Sequence, residues 1–379
     1  MGMVGGGVGA FIGGVHRMAA NLDGQIELVC GAFSSSPEKS KQSGEELYLP
    51  EDRVYPNFEE MITREKDLPE GERMDFVSIV TPNHVHFAPA KMALENGFHV
   101  MCDKPVTFSL EEAKILAETV EKSGLVFGLS HNYTGYPMVK QAKQMIQDGV
   151  IGKVRKVVVE YPQGWLYQRI ESESQKQASW RTDPSKSGKS GCMGDIGTHA
   201  ENLMEYVTGL QITELCADLN VFVEGRALDD DGSVLVKLSD GARGILYASQ
   251  ISCGDENNLR IRVYGEKAGL EWFQPEPNTL TLKYQEKPNE ILRAGNPYIS
   301  DKGQAHSRLP AGHPEGFLEA FGNLYRNFSL AVRARIEGTA FDADLYDFPT
   351  IYDGIRGMQF IDAVVESSAS DQKWTKFPA

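Results

Sequence analysis

A rhythm in the first third of the chain constrains the fold more than any other feature. Leu28–Phe33, Phe76–Val80, Val100–Cys102 and Val126–Ser130 are short, strand-like apolar runs. Between them, Phe87–Asn96 and Leu110–Ser123 carry apolar residues at helical spacing. Ser109, ahead of Leu110-Glu111-Glu112, offers an N-cap with acids in the first turn. Strands that alternate with helices predict a parallel, doubly wound α/β sheet.

The rhythm changes after Asn132. Val154–Tyr161 reads as a strand and Gly194–Val207 as a helix. Strand-like runs then follow one another with only turns between them: Leu215–Val223, Ser233–Leu238, Ala242–Gln250, Leu259–Tyr264, Leu270–Phe273 and Thr279–Tyr284. Such a series predicts a large, mostly antiparallel sheet. Ala294–Pro314 reads as a long loop, and Gly316–Ile336 and Tyr352–Ser367 as closing helices. The expected organisation is a doubly wound domain at 1–132 and an α+β domain at 133–379. One sheet face would take helices and the other would meet a second copy, giving a homodimer or homotetramer.

Composition removes several classes. Asp plus Glu number 53 against 38 Lys plus Arg, a net charge of −15, which repels phosphate backbones and argues against nucleic acid. No apolar run approaches membrane-span length, so no membrane partner is expected. The five cysteines are widely spaced and form no C-x-x-C pair, which fits a reducing cytoplasm better than a disulfide framework or a zinc site. The N-terminal MGMVGGGVGAFIGGVHRMAA lacks the positive n-region of a signal peptide and reads as part of the fold. Asp229-Asp230-Asp231 reads as a solvated acidic turn, and no metal is expected.

The glycine loop gives the first chemical signal. Gly5, Gly7 and Ala10 match G-x-G-x-x-A: a tight turn, a close backbone approach to a pyrophosphate, and a small residue for helix packing. Gly9, Phe11 and Ile12 complete the expected phosphate-facing set, at the start of a helix that Gly13-Gly14 should delay. The tip of the second strand carries Ser34 and Ser35 and no carboxylate for a ribose. The cofactor is therefore expected to be NAD or NADP.

Three further motifs sit at strand or helix ends: Thr81-Pro82-Asn83-His84-Val85-His86, Cys102-Asp103-Lys104-Pro105 and Gly194-Asp195-Ile196-Gly197-Thr198-His199. With the glycine loop, they resemble the glucose–fructose oxidoreductase / inositol dehydrogenase (Gfo/Idh/MocA) family across nearly the whole chain. Asp103 departs from the usual glutamate. The resemblance implies an NAD(P)-dependent oxidoreductase acting on a secondary ring hydroxyl of a sugar, glycoside, inositol or other polyol. It places Thr81, Pro82, Asn83, His86, Asp103 and Lys104 near the cofactor, and makes Lys104, Asp195 and His199 catalytic.

Elementary chemistry agrees with those roles. Lys104 follows a parallel strand, where such sheets bind ligands, and its bond to Pro105 can turn cis. Asp195 and His199 are spaced i, i+4 and share one helix face. His199 suits the proton acceptor, Asp195 can orient it, and Lys104 can stabilise alkoxide charge. The three are expected to meet in one cavity. Tyr133, Tyr136, Trp165, Trp180, Arg181 and His313 are candidate substrate contacts for which packing or capping is an equal reading. His16, His99 and His306 read as structural. Two rivals stay open: a glycoside-cleaving enzyme using NAD transiently, and a non-catalytic sensor.

Overall fold

The computed structural model describes residues 1–173 and 175–378. Its chain divides into two compact units: Met1–Asn132 with Phe317–Ile355, and Tyr133–Gly316 with Arg356–Ala379.

In the first unit, strands β1 (Gly2–Gly5), β2 (Cys30–Ala32), β3 (Phe76–Val80), β4 (His99–Cys102) and β5 (Phe127–Leu129) form one parallel sheet in the order β2-β1-β3-β4-β5. Every residue of β2, β3, β4 and β5 is buried, as expected where helices cover both faces. The crossovers run through α1 (Phe11–Asn21), α2 (Pro37–Glu46), α3 (Phe58–Lys66), α4 (Phe87–Glu95) and α5 (Leu110–Ser123). Ser109 caps α5 through the Glu112 N–H, and Gly124 ends it in the left-handed conformation. Strand order reverses between β1 and β3, so the loops after those strands flank the switch point where such sheets bind ligands.

The domain expectation fails for one segment. Everything after residue 132 was expected in the second unit, yet helix α11 (Phe317–Glu337) packs in the first. Its Phe321, Tyr325, Phe328 and Val332 recur at helical spacing and join Met3, Val15, Ala19 and Phe76 in one core. This stripe closes the sheet face beside α1, a place that no local pattern could reveal.

The second unit is built on a nine-stranded sheet. After helix α6 (Pro137–Gln147) come β6 (Val154–Pro162), β7 (Ile212–Asn220), β8 (Asp231–Leu238), β9 (Arg243–Ser249), β10 (Arg260–Gly265), β11 (Gly269–Phe273), β12 (Thr279–Lys283), β13 (Glu290–Arg293) and β14 (Thr375–Lys376). Their order is β13-β12-β11-β10-β6-β9-β8-β7-β14, and every pairing is antiparallel except β6 with β9. Val157, Val159 and Tyr161 of β6 are buried and alternate with partly exposed neighbours. Helix α9 (Thr198–Thr208) lies over the middle of this sheet, against β6, β9 and β10. Short helices α7 (Lys176–Arg181) and α8 (Pro184–Ser187) precede it. The expected loop at 294–314 contains helix α10 (Asp301–Ala305), and α12 (Ile351–Ser368) closes the helical part of the chain. None of the described helices is long and apolar enough to cross a membrane.

Candidate active site

The glycine loop joins β1 to α1. Gly5, Gly6 and Gly9 have φ of 82°, 72° and 75°, in the left-handed region that favours glycine. A Cβ on Gly7 would come within 2.6 Å of Ser43 Oγ and 2.8 Å of the Phe33 carbonyl. Gly13-Gly14 does not delay the helix, which starts at Phe11. Gly13 instead lets α1 lie on the loop, since a Cβ there would sit 2.3 Å from the Gly6 Cα. Close packing thus falls to Gly13, while Ala10 is the N-cap and has no side chain to cap with. Ser43 Oγ accepts the Val8 N–H at 3.1 Å, and Arg17 donates to the Gly6 carbonyl at 2.7 Å.

The loop therefore presents the α1 terminus with no acidic side chain in its first turn, among the described residues. Thr81 Oγ1, beside Gly5, is buried without a hydrogen-bond partner. A helix N-terminus without a side-chain cap, a cradle that a Cβ would fill and an orphaned hydroxyl fit the phosphate-to-nicotinamide stretch of a dinucleotide. At the tip of β2, Ser34 Oγ accepts from the Ser36 N–H, and Ser35 is exposed. Glu38 accepts a 2.6 Å bond from the Ser36 hydroxyl, which holds its carboxyl below the usual range.

Asn83 is buried in a turn after β3, while Pro82 is exposed. His86, expected near the cofactor, is buried with both ring nitrogens on backbone. Its Nδ1 lies 2.8 Å from the Pro105 carbonyl and its Nε2 2.7 Å from the Thr81 carbonyl, so backbone engages the whole ring. The Lys104–Pro105 peptide is cis. Asp103, largely buried, accepts from Ser130 Oγ at 2.5 Å and from the Lys104 N–H at 2.9 Å. Burial alone would raise the Asp103 pKa, but His16, the Lys104 charge and the Ser130 bond hold it well below the carboxylate range. His16 is more than packing: its Nδ1 lies 2.6 Å from the Tyr325 hydroxyl, which also meets Ser78 Oγ at 2.7 Å.

In the second unit the Asp195 helix is not a plain α-helix. Met193–Gly197 forms a π-helical turn, with the Thr198 N–H donating to the Met193 carbonyl, and α9 begins at Thr198. Such turns are frequent at functional sites. Asp229 shapes this one, its carboxylate accepting the Gly191 and Met193 N–H groups at 2.8 and 2.9 Å. The acidic run is thus no solvated turn. Asp229 and Asp230 are buried, the latter accepting the Phe222 and Val223 N–H groups and pairing with Arg226. No metal-binding cluster of His, Cys, Asp and Glu occurs among the described residues.

Asp195 Oδ2 accepts from Arg181 Nε at 3.0 Å and from Gln250 Nε2 at 2.8 Å. The Arg181 guanidinium stacks 4.2 Å from the Trp180 ring centre and 5.8 Å from that of Trp165, and bonds Gln177 Oε1 at 2.7 Å. Sequence reading placed Arg181 at the substrate; its observed bond is to Asp195. His199 is buried, with the edge of Tyr133 against it at 4.9 Å between ring centres. Tyr133 stacks on Tyr136, shares its hydroxyl with Tyr161 and is approached by Asn257. Burial, only partly offset by these bonds, pushes the Tyr133 phenol up to about 12. His313 is exposed, with its Nδ1 3.1 Å from the Pro310 carbonyl. Gln250, Tyr161 and Asn257 carry no local signal because their partners lie tens of residues away.

A parallel sheet with a glycine cradle at its switch point, joined in one chain to a unit carrying a buried His199 one helical turn from the half-buried Asp195, fits an NAD-dependent oxidoreductase. Residues 1–131 match the model of the oxidoreductase family with an NAD-binding Rossmann fold, and residues 139–271 that of the GFO/IDH/MocA C-terminal domain. The uncharacterized oxidoreductase YfiI of Bacillus subtilis is 35% identical over 99% of this chain and 96% of its own. An oxidoreductase from Sinorhizobium meliloti is 47% identical, with TM-score 0.90 over 99% of this chain and 98% of that one. An inositol dehydrogenase homolog from Azotobacter vinelandii, solved with NAD+, is 35% identical with TM-score 0.93 over 99% and 96%. An inositol dehydrogenase homolog from the same organism, solved with NADH and myo-inositol, is 34% identical with TM-score 0.91 over 99% of this chain and 97% of that one. The chain belongs to the Gfo/Idh/MocA family, and its cofactor is NAD.

Proposed function

We propose that this enzyme oxidises a secondary ring hydroxyl of a sugar, glycoside, inositol or related polyol, or reduces the matching ketone. The observation that carries the reading is the buried His199 one helical turn from an Asp195 that Arg181 and Gln250 hold in place. Alcohol oxidation needs a proton acceptor at the hydroxyl, and imidazole fits that task near neutral pH. NAD supplies the hydride acceptor when bound. His199 takes the hydroxyl proton, and Asp195 orients the ring and favours its charged form. Lys104 stabilises alkoxide charge as it grows. Tyr133, beside His199, offers an apolar ring and a hydroxyl that suit a polyol, while the fully buried Tyr136 packs against it and Trp272. The serines at the β2 tip support weak discrimination between NAD and NADP, since neither a ribose-binding carboxylate nor a phosphate-clamping arginine stands in that run. A cytoplasmic homo-oligomer, paired through the open face of the large sheet, completes the reading; light scattering of a monomer at micromolar concentration contradicts it.

The test is a panel of polyols, free sugars and glycosides with NAD or NADP, followed by absorbance of the reduced cofactor and by product analysis. Stoichiometric reduced cofactor and ketone support the proposal. Free sugar released from a glycoside without net reduced cofactor replaces it with transient oxidation and cleavage. Tight ligand binding with no turnover replaces it with a sensor. A difference above about a thousandfold in kcat/KM between the cofactors, roughly 4 kcal/mol, ends the claim of weak discrimination.

A further inference from the structure

Both ring nitrogens of His86 face backbone carbonyl oxygens, Pro105 O at 2.8 Å and Thr81 O at 2.7 Å. A carbonyl oxygen only accepts. Neutral imidazole has one N–H and one lone pair. Either neutral tautomer therefore turns a lone pair onto a carbonyl at hydrogen-bond distance, and a ring only 1% exposed leaves no water to take its place. Imidazolium satisfies both contacts.

The two carbonyls belong to different loops. Thr81 follows β3 and borders Gly5 of the phosphate cradle, while Pro105 follows β4 and directly succeeds Lys104. The Lys104 side of this loop is tied down again by Asp103, whose carboxylate accepts the Lys104 N–H. We propose that His86 is a positioning residue: as an imidazolium donating from both nitrogens, it fastens the β3 loop to the β4 loop and so fixes the backbone that carries Lys104.

The charged groups around the ring act in both directions. Burial, with His16 on α1 adding to it, leaves the His86 pKa below its ordinary value, and against that balance stand the two facing carbonyls, to which only a cation can donate from both nitrogens. Asp103 and the two carbonyl bonds favour the proton. Two hydrogen bonds to one cation, each charge-assisted, oppose the burial cost. Losing the proton would free one carbonyl and release one loop from the other.

The experiment has a spectroscopic and a kinetic arm on the full chain. Histidines are labelled with ¹⁵N, and H86Q assigns the His86 signal among eight. If H86Q does not fold, replacing each of the other histidines in turn assigns it by elimination. At pH 7 the expected signal has protons on both nitrogens; a single-proton neutral tautomer overturns the proposal. The kinetic arm rests on the dehydrogenase reading. A glutamine amide has one nitrogen and cannot donate along both directions, so folded H86Q should lose about ten- to a hundredfold in kcat with KM for the alcohol little changed. Parent-level kcat also overturns the proposal. If the parent oxidises no alcohol, the dehydrogenase reading fails by itself and the spectroscopic arm still decides the clamp.

Discussion

At the scale of single residues, the chemistry rests on side chains whose neighbours limit what they can do. Asp195 receives two donors on one oxygen, one of them a guanidinium stacked on tryptophan, so its position is set before any substrate arrives. On the proposed mechanism, His199→Ala removes the proton acceptor. Steady-state kinetics should show kcat lower by about 10²–10⁴-fold, with the NAD dissociation constant unchanged. Lys104→Ala should cost a similar amount, through lost stabilisation of the alkoxide. Arg181→Gln should lower kcat by acting through Asp195, so that in a double-mutant cycle its effect and that of Asp195→Asn do not add. Additive losses would return Arg181 to direct substrate contact.

At the scale of elements, two features deserve separate tests. The π-helical turn before α9 depends on Asp229, a residue 36 positions from the Met193 N–H it binds. Burial raises the Asp229 pKa, and its backbone bonds only partly offset this. Asp229→Ala leaves two buried N–H groups without that acceptor and should destabilise the protein by about 1–3 kcal/mol in urea unfolding. Its kcat per folded molecule should fall as well, because the turn carries Asp195. The second feature is β4, whose His99 accepts the Val126 N–H through Nδ1 at 2.8 Å. Burial, helped by the Arg335 charge, lowers its pKa from 6.5 to about 4. His131, after β5, is lowered to about 3 by burial and by the Lys104 charge. The unfolded chain thus takes up these protons near pH 6.5 while the folded chain does not. Stability is complete above that pH and is lost as pH falls from about 6.5 towards 4. His99→Gln, which keeps an acceptor but cannot titrate, should flatten the fall in Tm across that window; an unchanged slope would clear His99 of the effect.

At the scale of the whole molecule, the chain leaves its first unit at residue 132 and returns to it at Phe317. Phe328 of α11 is fully buried against Phe76 of β3, with ring centres 5.0 Å apart. Phe328→Ala should cost about 3–5 kcal/mol, read as a lower urea midpoint. NAD should protect the parent against urea far better than the variant, because the opened unit holds the cradle. By itself the sequence determined the alternation of strands and helices, the boundaries of α5, the glycine cradle and the three motifs. Each is written in consecutive residues, as a burial period, a cap or a turn whose chemistry is local. Only the tertiary structure decided where α11 packs, what Gly13 is for, why the acidic run is buried, and which partners hold Asp195 and His86. Those outcomes join residues far apart in the chain. A carbonyl, a carboxylate or an aromatic stripe carries no local mark of the distant group that will satisfy it, so only the folded geometry pairs them.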